Sequence, residues 1–183
     1  MENYTGMEIA VIGISLRFPG ANNINEYWNN ILNKNISIKF YSDEELLRFG
    51  VDEQLIKNPN YVKSPGGIID NKDFFDGFLF GYSPRECELM HPQTRLFHEC
   101  TWEAIEDAGY DPYTYNSTIG IYAGASSSFV WEADVMFSGK SKSVGELLAM
   151  QLSSKDFMCS QVSYALNLKG PCNNIQNACS TSL

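Results

Sequence analysis

Two short apolar runs constrain this chain more than any other feature. Glu8 to Gly13 (E-I-A-V-I-G) and Thr118 to Gly124 (T-I-G-I-Y-A-G) are rich in β-branched residues and too short for helices. Such runs predict buried strands, with glycines where another backbone or a small side chain comes close. A long stretch of mostly helical periodicity separates them, so no hairpin can join them. A third extended run, Asn173 to Ala178, lies beyond further helical segments. Strands alternating with helices over such connections imply an α/β chain with parallel pairing.

The intervening segments carry their own boundaries. Ile24 to Leu32 places apolar residues at helical spacing, including Trp28 as a packing residue. Ser42 with Glu45 predicts a capping box opening a second short helix that Gly50 ends. Asn58 to Gly67 reads as surface loop, and Phe74 to Phe80 is dense enough in large apolar residues to be core. Ser83-Pro84-Arg85-Glu86 predicts another capped helix start. Pro92 to Ala108 is the longest expected helix, with Leu96, Phe97, Cys100, Ala104, Ile105 and Ala108 as its apolar stripe and Gly109 as its stop. Ser126 to Ser128 either cap a following helix or approach a substrate tunnel; Glu146 to Gln151 and Asp156 to Leu168 read as helices, the latter closed by Gly170-Pro171.

Composition narrows the function classes. The 183 residues suffice for one domain with a core, and 44% hydrophobic with 19% charged residues is a globular composition. A net charge of -9 without a dense Lys/Arg cluster argues against nucleic acid as a partner, since phosphate neutralisation needs concentrated positive charge. Met1 to Gly6 lacks a basic leader and no apolar run has the length of a bilayer span, so a cytoplasmic location without membrane contact is expected. The five cysteines form no C-x-x-C spacing, which indicates neither a disulfide framework nor a zinc site.

The chemistry concentrates at Cys179. An extended run followed by Cys179 and then Ser180, Thr181 and Ser182 reads as a strand turning sharply into a helix with a thiol at the bend. Free backbone N–H groups at such a bend favour a thiolate and can hold an oxyanion. A cysteine in an apolar strand-to-helix setting also serves as a small core residue, and the residues alone leave both readings open. Only two histidines, His91 and His98, are present, far upstream in sequence.

An ordered set of segments decides between them. I-A-V-I-G at Ile9 to Gly13, R-F-P-G at Arg17 to Gly20, F-D at Phe75-Asp76 and F-G-Y-S-P-R-E at Phe80 to Glu86 come first. P-Q-T-R at Pro92 to Arg95, W-E-A-I-E-D-A-G-Y at Trp102 to Tyr110 and G-I-Y-A-G at Gly120 to Gly124 follow. S-Y-x-L-N-L-x-G-P at Ser163 to Pro171 and N-A-C-S-T-S-L at Asn177 to Leu183 complete the set. Together they resemble the N-terminal half of a β-ketoacyl synthase, in particular the ketosynthase domains of modular polyketide synthases and of hybrid polyketide/nonribosomal peptide assembly lines.

The resemblance implies a thiolase-like fold, here the N-terminal half of its α-β-α-β-α arrangement and therefore incomplete. Residues 1–7 are expected to be a tail and 8–183 the N-terminal part of the domain, cut just after the nucleophile turn. It implies that Cys179 takes an acyl chain from the phosphopantetheine arm of an acyl carrier protein, with no cofactor bound directly. A malonyl-type extender on a second carrier then undergoes decarboxylative condensation, in a homodimer. Two histidines from C-terminal motifs assist that step, and neither His91 nor His98 matches their place, so the chain alone is expected to be silent. Two departures stand out: His91 where the family has Asp, and Gln161 where a basic residue is common. A rival reading is a non-catalytic piece or split half that docks onto a complementary half or an intact synthase. A cysteine hydrolase fails for want of a histidine partner.

Overall fold

Ser42 and Ser83 each begin a helix in the manner their spacing predicts. Ser42 Oγ accepts from the Glu45 N–H at 3.2 Å while the Glu45 carboxylate accepts from the Ser42 N–H at 2.9 Å. Ser83 and Glu86 repeat the exchange at 3.3 and 2.7 Å. Orphan donors at both helix starts are thereby satisfied reciprocally. These caps belong to a computed structural model that describes residues 5–181. It forms two compact units, one from Leu16 to Asn71, the other from the residues up to Ser15 together with those from Lys72 onward.

The smaller unit contains α1 (Ile24–Leu32), β1 (Ile38–Lys39), α2 (Asp43–Arg48), α3 (Glu53–Ile56) and β2 (Gly66–Gly67). β1 and β2 pair antiparallel, Ile38 opposite Gly67, so the end of the expected Asn58 to Gly67 loop joins a small ladder. The spacing gave no notice of α3, which Asp52 caps through the Gln54 and Leu55 N–H groups. Gly50, at φ +80, closes α2 as expected. Only Ala21, Leu46 and Ile56 are fully buried among the described residues of this unit. That is too small a core to cover the α1 stripe, so Trp28, expected to pack, is 57% exposed.

The larger unit is built from α4 (Pro84–Leu89), α5 (Pro92–Asp107), β3 (Ile121–Ala123), α6 (Phe129–Phe137), α7 (Glu146–Ser153), α8 (Met158–Ala165) and β4 (Cys172–Asn174). β3 and β4 run parallel, Ile121 opposite Cys172 and Ala123 opposite Asn174, as the long crossover requires. One buried cluster joins Phe80, Ile121, Met158, Val162 and Leu166 beneath this pair. A second joins Leu89, Met90, Val135, Ala149 and Leu152 between α4, α6 and α7. Among the described residues no helix is long and apolar enough to cross a membrane.

Three expectations need correction. Glu8 to Gly13 belongs to no strand and is not buried: Ile9 is 95% and Val11 85% exposed. A buried strand needs backbone partners at its edges and cover on both faces. Here the segment is tied to α5 by the Asp107 carboxylate accepting from the Ile14 N–H at 2.9 Å and the Glu103 carboxylate accepting from the Ser15 hydroxyl at 2.6 Å. Phe74 to Phe80 is likewise split. Phe75 and Phe80 stack inside at 5.3 Å, while Phe78 is 94% exposed because the segment folds in successive turns that alternate its side chains between core and solvent. On α5 the fully buried residues are Thr94, Arg95 and His98. The expected apolar stripe is only partly covered, because Phe97, Cys100, Ala104 and Ala108 line an open cavity of about 720 Å³ with Ala10 to Gly13 and Thr118 to Tyr122.

Candidate active site

The site is assembled at the C-terminal end of the parallel pair. The ladder continues past β4 through the Ile175 N–H, which donates to Ala123 O at 2.8 Å. The chain then leaves the sheet and Ala178 takes φ +50, the left-handed region that a β-carbon disfavours. A single 3-10 turn, Ala178–Ser180, follows and places Cys179 exposed on its outside. The thiol stands at a sharp bend after a strand, as expected. The described backbone beyond it is one turn, while Ser182 and Leu183 lie outside the described residues.

Side chains close this turn on itself. Thr181 Oγ1 accepts from the Asn177 N–H at 2.9 Å and donates to Ala178 O at 2.8 Å. The Ser180 hydroxyl donates to Asn177 O at 2.9 Å. The Ser180 and Thr181 N–H groups also point back, to Asn177 O and Ala178 O. The Cys179 N–H has no acceptor among the described residues, which leaves it available to an incoming oxyanion.

Two residues that sequence reasoning missed anchor the strand beneath. Asn174 accepts from the Cys159 N–H at 3.3 Å and donates to Asp156 O, joining β4 to the start of α8. Buried Cys159 directs its thiol at Asn173 O, 3.3 Å away, and burial raises its pKa. Burial sets the two thiols apart in the structure: Cys159 is enclosed and Cys179 is exposed. Gly124 completes the floor. A β-carbon there would lie 2.1 Å from Ile175 O and 2.4 Å from Thr181 Cγ2, so only glycine lets the turn settle onto β3.

Neither histidine serves the thiol. His98 Nδ1 donates to Thr94 O at 2.7 Å, which fixes Nε2 as acceptor for the Tyr82 hydroxyl at 3.1 Å. Phe75, Phe80 and Tyr82 ring it, and burial pushes its pKa down to about 4 against the smaller upward pull of Thr94 O. His98 is thus a neutral core residue. His91 caps α5, its Nδ1 accepting from the Gln93 N–H at 3.1 Å, with its ring edge-on to Trp131. Burial, then the neighbouring Arg95, lower its pKa. Of the serines ahead of α6, Ser128 is the cap, accepting from the Trp131 N–H at 3.4 Å. Ser126 is held by the Gln93 amide, which accepts from its N–H and donates to its carbonyl, each at 3.2 Å.

Known proteins resemble the chain over nearly all of its length. Residues 7–183 match the family described as Beta-ketoacyl synthase, N-terminal domain. The chain is 35% identical over 182 residues to a phenolphthiocerol/phthiocerol polyketide synthase protein of Mycobacterium tuberculosis, covering 96% of this chain and 12% of that protein. It is 36% identical over 180 residues to polyketide synthase PksN of Bacillus subtilis, covering 98% of this chain and 3% of the relative. The chain thus spans a small part of the length of either relative. Among solved structures, ketosynthase twelve of the bacillaene polyketide synthase from Bacillus amyloliquefaciens superposes with a TM-score of 0.78 at 35% identity, over 95% of this chain and 30% of that one.

Proposed function

Because the chain belongs to the β-ketoacyl synthase family, as an N-terminal domain with the thiolase-like fold of the ketosynthases, we propose that Cys179 is the acyl-accepting nucleophile of a polyketide-type condensing enzyme. The observation that carries the reading is the exposed thiol on the left-handed Ala178 turn, directly after a strand of the parallel pair. In the first half-reaction the Cys179 thiolate attacks the carbonyl of an acyl thioester on a carrier protein's phosphopantetheine arm. The tetrahedral oxyanion accepts from the Cys179 N–H, and collapse expels the phosphopantetheine thiolate, leaving acyl-Cys179. In the second, a malonyl-type thioester loses CO₂ and its carbanion attacks the acyl-Cys179 carbonyl. The cysteine thiolate leaves and a β-ketoacyl thioester remains on the carrier.

The second half-reaction needs groups to assist decarboxylation. His98 is buried and hydrogen-bonded at both ring nitrogens and His91 caps α5, so these 183 residues by themselves are expected to give no turnover. Supplying the C-terminal half of a related ketosynthase, with an acyl donor and a malonyl-carrier protein, tests the reading. The product expected is a β-ketoacyl carrier, absent with Cys179→Ala and absent for the chain alone. Product formation by the Cys179→Ala protein would refute the assignment. Exposed Ile9 and Val11 support a second reading, a non-catalytic half that docks through this apolar face onto a complementary half or an intact synthase. A complex that forms without yielding product would favour it.

A further inference from the structure

The helix α6 has two apolar sides, and the core uses only one. Trp131 and Val135 face inward: the Trp131 indole N–H donates to Leu89 O at 3.1 Å, and Val135 is buried with Leu89, Met90, Ala149 and Leu152. Phe129 and Val130 in the first turn and Met136 and Phe137 in the last are between 66% and 84% exposed. Rolling the helix to hide them would pull Trp131 and Val135 out of the core. An apolar stripe held outward in this way calls for a partner surface.

The order of side chains along the stripe says what that surface is. At about 100° per residue, these four and Ala133 fall within roughly a third of the helix circumference, with Ala133 at the middle. The stripe is also a mirror of itself about Ala133: Phe129 then Val130 enter at one end, Met136 then Phe137 leave at the other, aromatic outermost each time. A face with this symmetry is matched by its own copy laid antiparallel across a two-fold axis at Ala133. The small central side chain lets the two helix backbones approach. Phe129 then falls against the partner's Met136 and Val130 against the partner's Phe137, and a thioether beside an aromatic ring is a favourable contact. Glu132 and Asp134 lie on the flanks, away from the seam, where Asp134 is already paired with Lys140 at 3.7 Å. We propose that the outward face of α6 is an interface between two copies of this chain, the helices antiparallel about Ala133. The inference is independent of the role of Cys179.

Sedimentation equilibrium of the purified chain carrying Ile9→Lys and Val11→Lys, which remove the separate apolar face of the N-terminal segment, tests the proposal. A concentration-dependent equilibrium between monomer and dimer is expected. Phe129→Glu and Met136→Lys, each added singly to that chain, should raise the dimer Kd about tenfold or more with unchanged helical circular dichroism. Mixing the two should restore a mixed dimer, because the antiparallel register sets the introduced carboxylate against the introduced ammonium. Should either variant fail to fold, Ala133→Cys tests the axis directly. Oxidation with diamide should join residue 133 of the two copies, read as a disulfide-linked peptide pair by mass spectrometry. A chain that stays monomeric, a dimer Kd unmoved by either substitution, two variants that do not associate when mixed, or oxidised Ala133→Cys without that link would each overturn the proposal. So would a complex with the C-terminal half of a related ketosynthase that depends on these residues while the chain alone is monomeric, since that half would then be the occupant.

Discussion

Ala178 carries more of the site than its small side chain suggests. It is one of the few non-glycine residues with positive φ, and it turns the chain so that Cys179 faces outward. Ala178→Gly should relieve the conformational strain and raise the denaturation midpoint, by about 1 kcal/mol, whereas Ala178→Val should lower it. No signal in the sequence marks this alanine as left-handed; the residues around it only marked the bend. His98 yields a pH prediction. Its folded pKa of about 4 lies below its ordinary 6.5, so between these values the unfolded chain binds more protons. Stability from neutral His98 is therefore full above pH 6.5 and is lost as pH falls to about 4, on the order of 3 kcal/mol in all. Urea titrations across that window should show the slope in the wild type and a reduced one in His98→Gln. The two departures from the family pattern also lie close together in the fold. The His91 N–H donates to Leu152 O at 3.2 Å and Gln161 Nε2 to Gln151 O at 2.6 Å, consecutive carbonyls at the end of α7.

Among the elements, caps were the most legible feature because they are local. Ser83→Ala should cost about 1 kcal/mol, the usual loss of a capping hydroxyl, read as a lower denaturant midpoint with an unchanged slope. The parallel sense of β3 and β4 was also legible, since a helical crossover permits little else. Burial was less so. The short apolar, β-branched run of Glu8 to Gly13 signals a strand, yet burial depends on what covers it, which no local pattern contains. The buried face of α5 escaped for a related reason: Thr94, Arg95 and His98 look like a solvated stripe until Phe75, Phe80 and Tyr82 are seen beside them. Gly124 tests how β3 and the Cys179 turn depend on each other. Gly124→Ala should cost on the order of 1–3 kcal/mol by overpacking against Ile175 O and Thr181, and should shift the amide resonances of Asn177 to Thr181.

For the whole molecule, the exposed apolar residues matter most. Ile9 and Val11 stand nearly free on a segment tied to its unit by Asp107 and Glu103. An open face of this kind seeks cover, so the chain should bind a hydrophobic dye and sediment heavier as concentration rises. Ile9→Lys together with Val11→Lys should reduce both without altering the helical circular dichroism. Cys172 is also exposed, so it serves as an internal control for the site itself. The decisive measurement is peptide mass spectrometry of the chain incubated with an acyl-pantetheine thioester and the C-terminal half of a related ketosynthase. The acyl mass should appear on the peptide bearing Cys179, be absent from the peptide bearing Cys172, and vanish in Cys179→Ala. Acylation of Cys172 with Cys179 unmodified, or acylation that persists in Cys179→Ala, would contradict the account.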